Sequence, residues 1–87
     1  MLRIMLAQLN PIVGDLRYNL LEHKKCIDLA KQKKVDLLVF PELSLTGYPV
    51  DDLVQYQWWL EMIPTVIQDL CQFSEGIALL VGAPLIV

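Results

Sequence analysis

Three short apolar runs alternate with two helix-length segments, and this order constrains the fold more than any other feature. The runs lie within residues 2–9, 35–40 and 77–83. The first and second are continuous rather than alternating, which is typical of strands buried on both faces of a parallel sheet. Parallel neighbours need a crossover connection, and such crossovers are right-handed. The sequence therefore predicts an α/β chain that runs βαβαβ.

The two segments between the runs have the periodicity of amphipathic helices. The first helix is predicted from Leu16 to Lys33 with Asp15 as its N-cap, and the second from Gln57 to Ser74 with a kink or restart at Pro64. We expect His23 at the margin of the core with its ring partly exposed. The inward-facing stripes comprise Leu16, Leu20, His23, Ile27 and Ala30 in the first helix, and Trp59, Ile63, Val66, Leu70 and Phe73 in the second.

Composition narrows the class of protein. The 87 residues are 55% hydrophobic, with a mean hydropathy of +0.46 and a net charge of −3. A complete small domain needs more polar cover, so we expect the opening piece of a longer protein; a compact oligomer is the alternative. The negative charge argues against nucleic acid. No apolar run is long enough to cross a bilayer and no signal peptide is evident, so we expect no membrane association and a cytoplasmic location.

Glu42 is the candidate catalytic residue, because it follows the second predicted strand almost directly. Ligands of open α/β sheets are bound outside the carboxyl ends of the strands. Phe40 and Leu43 flank Glu42 and predict an apolar setting that favours the protonated carboxyl, as a general base working near neutral pH requires. The long connection that follows is typical of functional loops. From spacing alone, Glu42 could equally cap a neighbouring helix or pair with an arginine.

Phe40-Pro41-Glu42, followed by Thr46-Gly47-Tyr48, resembles the first catalytic segment of the carbon–nitrogen hydrolase (nitrilase) superfamily. Asp51-Asp52-Leu53 and Val81-Gly82-Ala83-Pro84 narrow the resemblance to the amidase domain at the front of glutamine-dependent NAD synthetases. The resemblance covers essentially all of the chain. It implies that residues 1–87 are a partial carbon–nitrogen hydrolase domain, the N-terminal βαβαβ portion of a four-layer αββα sandwich.

The resemblance also implies a Glu–Lys–Cys amidohydrolase with Glu42 as general base. A cysteine thiolate would attack the side-chain amide of glutamine to form a thioester, and a lysine would stabilise the oxyanion. Tyr48 would lie beside the substrate pocket or the ammonia route. Ammonia would pass to a separate synthetase domain that uses ATP and Mg²⁺, and family members commonly form homo-oligomers. Within this segment we expect no cofactor and no metal site.

The other two catalytic residues that the resemblance implies are not among these 87. In the family the lysine and the cysteine follow the third strand, whereas all five lysines here precede Glu42, and Cys26 and Cys71 fall in predicted helices. The isolated chain is therefore expected to be inactive. Three alternatives stay open: another amidase or carbamoyl-amide hydrolase of the superfamily, a non-catalytic nitrilase-like interaction module, and a complete small α/β binding protein.

Overall fold

The predicted alternation of strands and helices is confirmed. A computed structural model describes residues 1–47, 53 and 56–83 of the chain. Both helices match their predicted bounds to within one residue, whereas each strand is shorter than the apolar run that contains it. The elements are β1 (Ile4–Leu6), α1 (Leu16–Gln32), β2 (Leu37–Val39), α2 (Gln57–Phe73) and β3 (Ala78–Leu80).

The three strands form one parallel sheet with β2 in the centre. Their last residues, Leu6, Val39 and Leu80, stand side by side in the register, so all three strands end at the same edge. The ladder continues one residue further, because the Ala7 amide donates to the Val39 carbonyl and the Phe40 amide donates to the Leu80 carbonyl, each at 2.9 Å. The chain leaves this carboxyl edge just before Glu42.

Both helices cover the same face of the sheet. Successive right-handed crossovers that move in one direction across a sheet place their helices on one side, and α1 packs against α2. Leu38, in the middle of β2, is fully buried beneath them. The opposite face is open: Ile4, Leu6 and Leu80 are 54%, 73% and 60% exposed. The expectation that the first strand is buried on both faces is therefore wrong within the part of the chain that the structure describes.

The helical stripes are confirmed, with Phe73 the one member that is only partly buried. Asp15 caps α1 through its carboxylate, which accepts a hydrogen bond from the Tyr18 amide at 3.0 Å. Of the adjacent tryptophans, Trp59 is buried and Trp58 is 63% exposed. Neither helix in the described parts of the chain is long and apolar enough to cross a membrane.

Helix α2 runs continuously through Pro64, so of the kink or restart predicted there, the restart is wrong. The proline lies on the exposed side of the helix. There, water can hydrogen-bond the backbone carbonyl that a proline leaves without an amide donor. The helix therefore persists because its buried stripe, which includes Ile63 and Val66 on either side of the proline, holds it against the core.

A tight contact joins the β1–α1 loop to the segment after Glu42. Gly47 has φ = +80°, and a Cβ at this position would lie 2.7 Å from the Cα of Val13. The Gly14 amide donates to the Thr46 carbonyl at 2.8 Å. From α2, the indole Nε1 of Trp59 donates to the Gly14 carbonyl at 3.1 Å. Two loops and a helix thus meet at a point that has no room for a side chain on Gly47.

We expect Gly47→Ala to lower the free energy of unfolding by about 2–4 kcal/mol, because it combines an unfavourable φ with a backbone clash. Gly76→Ala is the matched control. Gly76 has a similar φ of +87°, but a Cβ there would meet nothing within 4 Å. Gly76→Ala should therefore lower the free energy of unfolding by only about 1–2 kcal/mol. Urea unfolding of both variants measures the difference. Equal losses would contradict the tight approach to Val13.

Candidate active site

Glu42 lies in a compact turn just beyond β2. The Ser44 amide donates to the Pro41 carbonyl at 3.1 Å, which closes a four-residue turn with Glu42 and Leu43 at its corner. The amides of Thr46 and Gly47 both donate to the Leu43 carbonyl, at 3.2 and 2.8 Å. Leu43 has φ = +51°, which non-glycine residues rarely adopt. The turn is therefore highly ordered by its own backbone hydrogen bonds.

The carboxylate of Glu42 is exposed at the carboxyl edge of the sheet. The apolar setting expected from Phe40 and Leu43 is therefore absent in the described chain. Phe40 is buried on the helical side, where its ring packs against His23 with centroids 4.2 Å apart, and Leu43 is only partly buried. Within the described residues, Glu42 forms no ion pair and no side-chain hydrogen bond. Neither the arginine pair nor the helix cap considered as alternatives is seen there.

Asn19 of α1 connects the β1–α1 loop to the Glu42 turn. Its Nδ2 donates to the carbonyls of Ile12 and Leu45, both at 2.9 Å, and its Oδ1 accepts from the Ile12 amide at 2.8 Å. The Asn19 side chain is buried, and its bond to the Leu45 carbonyl is made away from competing water, whereas the two bonds to Ile12 are part-buried. One amide group thereby fixes two backbone segments relative to the helix.

His23, one helical turn further along α1, bonds to the same turn. Its Nδ1 lies 2.6 Å from the Asn19 carbonyl oxygen and its Nε2 lies 2.8 Å from the Ser44 hydroxyl. A carbonyl can only accept, so Nδ1 carries the hydrogen and Nε2 accepts from the hydroxyl of Ser44. The ring is fully buried, which corrects the expectation of a partly exposed histidine. Burial is tolerated because both nitrogens have partners.

The segment after β3 confines the turn from the other side. A Cβ on Gly82 would lie 3.0 Å from the Leu43 amide nitrogen and 3.8 Å from the Cα of Glu42. Any larger residue would press on backbone rather than on a movable side-chain end. The Glu42 turn is therefore held between helix α1 and the continuation of the third strand.

The two cysteines lie in helices, as predicted, and not in the Glu42 turn. Tyr48, the proposed neighbour of the substrate pocket, lies outside the described residues. Cys26 is half-buried within α1, and burial, aided by Glu22, raises the pKa of its thiol, which is the opposite of what a nucleophile requires. Cys71 lies in α2 and is exposed. The described parts of the chain hold no group of three His, Cys, Asp or Glu residues placed to bind a metal.

The hydrogen-bond network of Asn19, His23 and Ser44 was not predicted from the sequence. A signal was present: two polar residues, four positions apart, fall on the otherwise apolar stripe of the first helix. Polar groups on a buried stripe need partners, and such partners come from another segment of the chain. The sequence could not show that this segment is the one that follows Glu42.

The sequence of the chain matches a known protein family. Residues 3–84 match the family model for carbon-nitrogen hydrolases. The chain therefore belongs to the carbon-nitrogen hydrolase family, as the motif around Glu42 predicted.

Within this family, the chain is similar to glutamine-dependent NAD synthetases. A glutamine-dependent NAD(+) synthetase from Thermotoga maritima is 40% identical over 83 residues, which cover 93% of this chain and 14% of that protein. The crystal structure of such a synthetase from Cytophaga hutchinsonii superposes with a TM-score of 0.93 at 28% identity, over 99% of this chain and 15% of the other. One from Acinetobacter baumannii, in complex with ADP, gives 0.73 at 31% identity, over 92% and 15%. The chain thus spans about one seventh of the length of these relatives and forms the nitrilase-type βαβαβ portion of their fold.

Burial of His23 predicts a specific loss of stability in acid. Desolvation lowers the pKa of the folded-state imidazole below its ordinary value of 6.5, and the hydrogen bond at the Asn19 carbonyl opposes this only in part. The unfolded chain therefore binds more protons below about pH 6.5, so the contribution of neutral His23 is complete above that pH and declines as the pH falls through it.

The measurement compares wild type with His23→Leu, which lacks the titrating ring, by urea unfolding between pH 7.5 and pH 5. We expect the free energy of unfolding of wild type, relative to the variant, to fall across this range. Carboxylates elsewhere titrate in both proteins, so their contributions to the free energy of unfolding cancel in the difference. A constant difference would contradict the burial of a neutral imidazole.

Proposed function

We propose that this chain is the first part of a glutamine-hydrolysing domain that supplies ammonia to a glutamine-dependent NAD synthetase. The observation that carries the proposal is the position of Glu42: an exposed carboxylate on a hydrogen-bonded turn at the carboxyl edge of a parallel sheet, in a chain that matches the carbon-nitrogen hydrolase model over residues 3–84. Similarity to named synthetases supports the choice of substrate.

In the proposed reaction Glu42 acts as general base. It takes the proton of a cysteine thiol that lies outside these 87 residues, and the thiolate attacks the side-chain carbonyl carbon of glutamine. The tetrahedral intermediate collapses as Glu42 returns the proton to the leaving nitrogen, which releases ammonia and forms a thioester. Water, deprotonated by Glu42, then attacks the thioester carbonyl carbon; the cysteine thiolate leaves and takes the proton back from Glu42, which releases glutamate and restores the thiol. A lysine, also outside this chain, stabilises the oxyanion in both steps.

The accessibility of Glu42 suits this role. A general base must come within hydrogen-bonding distance of the proton that it removes. Within the described residues no partner occupies the carboxylate, and the turn presents it to solvent. Tyr48 is proposed to lie beside the substrate pocket or the path of ammonia. Chain outside these 87 residues would then supply the thiol and close the site against water.

The remaining components are proposed for the rest of the polypeptide. ATP and Mg²⁺ would serve a separate synthetase domain, and the ADP complex of the Acinetobacter baumannii relative supports nucleotide binding there. We propose no cofactor within the 87 residues. We also propose that the whole protein forms homo-oligomers and works in the cytoplasm, which size-exclusion chromatography and cell fractionation can test.

Glu42→Gln in the full-length protein tests the base directly. We expect ammonia release from glutamine to fall by about 10²–10⁴-fold, because the amide cannot accept the thiol proton. NAD formation from added ammonium chloride should be unchanged. Glu75→Gln is the matched control, since Glu75 is also exposed but precedes β3 at the opposite edge of the sheet. Full glutamine hydrolysis by Glu42→Gln, or hydrolysis of a carbamoyl amide in place of glutamine by wild type, would contradict the proposal.

The isolated 87-residue chain is expected to release no ammonia from glutamine. A general base without its nucleophile and oxyanion donor provides almost none of the rate enhancement, because such groups act as a unit. A coupled glutamate dehydrogenase assay on the purified chain measures this. Activity above the uncatalysed rate that disappears in Glu42→Gln would show that the nucleophile lies within these residues.

A further inference from the structure

Two polar side chains of α1, Asn19 and His23, form hydrogen bonds to the Glu42 turn but not to Glu42 itself. Asn19 and His23 are 1% and 0% exposed, and both bond to the turn: Asn19 to the Leu45 carbonyl, His23 to the Ser44 hydroxyl. Among the described residues every buried side-chain nitrogen or oxygen has a hydrogen-bond partner. A buried polar group is costly to keep, so a complete network on one short turn calls for an explanation.

The strained residue of the turn lies between the catalytic candidate and this network. Leu43 has φ = +51°, a conformation that is unfavourable for an L-residue. Such a conformation persists only where its surroundings hold it in place, and strain of this kind concentrates at functional sites. Here Ser44, on the far side of Leu43 from Glu42, is fixed by His23.

His23 contacts the chain on both sides of Glu42. Its ring packs on Phe40 with centroids 4.2 Å apart, and its Nε2 accepts from the hydroxyl of Ser44. Phe40 and Ser44 are respectively two residues before and two residues after Glu42. The bond from Nδ1 to the Asn19 carbonyl fixes the orientation of the ring, so the Nε2 lone pair faces the hydroxyl. A leucine could reproduce the packing on Phe40 but not the hydrogen bond to Ser44.

We infer that His23 is a positioning residue for the proposed base: through Ser44 it holds the positive φ of Leu43 and thereby the direction of the Glu42 carboxylate. This inference rests on the proposed function. The productive state is the neutral ring with its hydrogen on Nδ1, since a protonated Nε2 could no longer accept from the hydroxyl. His23 itself neither meets substrate nor exchanges a proton in the reaction.

The test uses the full-length protein with Ser44→Ala as the principal variant, because it removes only the hydroxyl. We expect kcat for glutamine hydrolysis to fall about tenfold with KM changed less than twofold, since a displaced base slows chemistry without weakening substrate binding. NAD formation from added ammonium chloride should remain at the wild-type rate. His23→Leu should have the same effect, and the double variant should be no slower than either single one.

A matched control separates positioning from stability. Ile63 is buried in α2, and Ile63→Val removes one methylene group from the core, which lowers stability about as much as the loss of one hydrogen bond does. Ile63→Val should retain wild-type kcat at an equal loss of stability. An equal fall of kcat in Ile63→Val and Ser44→Ala would overturn the inference, as would an unchanged kcat in Ser44→Ala or a change confined to KM.

A second measurement does not depend on glutamine. The amides of Thr46 and Gly47 both donate to the Leu43 carbonyl, so their hydrogen exchange reports on the strained turn. We expect exchange at least about tenfold faster in Ser44→Ala than in Ile63→Val. If wild type releases no ammonia from glutamine, the proposed function fails and the catalytic part of the inference fails with it. Faster exchange would then still support the hold of His23 on the turn, and unchanged exchange would overturn it.

Discussion

The hydrogen bonds between helix α1 and the turn after β2 are the constraint on which the rest of this structure depends. Asn19 fixes the backbone at Ile12 and Leu45, and His23 fixes Ser44. Without these bonds, the helix would be set relative to the carboxyl edge of the sheet only by the Gly14–Thr46 backbone hydrogen bond at its N-terminus and by apolar packing, which is not directional. Because the bonds are directional, they orient the turn that carries Glu42 relative to the sheet.

The sheet has two unlike faces, and the difference explains the high hydrophobic content of the chain. Helices cover one face, whereas the other presents Ile4, Leu6 and Leu80 to solvent. An open apolar face of this kind suits a further layer packed against it, as the four-layer αββα sandwich implied by the family resemblance would require. The parallel ladder, for its part, aligns the carboxyl ends of all three strands at the edge where Glu42 lies.

Most of the fold could be predicted from the sequence, because helix periodicity and the Asp15 cap are local features. The long apolar stripes of α1 and α2 predicted where both helices begin and end to within one residue. The errors were at places where distant segments meet. Glu42 is exposed and lacks the predicted apolar setting, because the Phe40 ring packs against His23 on the helical side of the sheet. His23 proved fully buried because Ser44 and the Asn19 carbonyl take up both of its nitrogens.

The order of strands and helices, the inward faces of both helices and the family motif around Glu42 could all be read from the sequence, since each depends on residues close together along the chain. The surroundings of Glu42 could not: they comprise the close approach of Gly82, the positive φ of Leu43 and the hydrogen bond from Ser44 to His23. These depend on contacts between residues about 20 to 40 positions apart. Their geometry is set by how the helix and the sheet pack, and local sequence does not specify that packing.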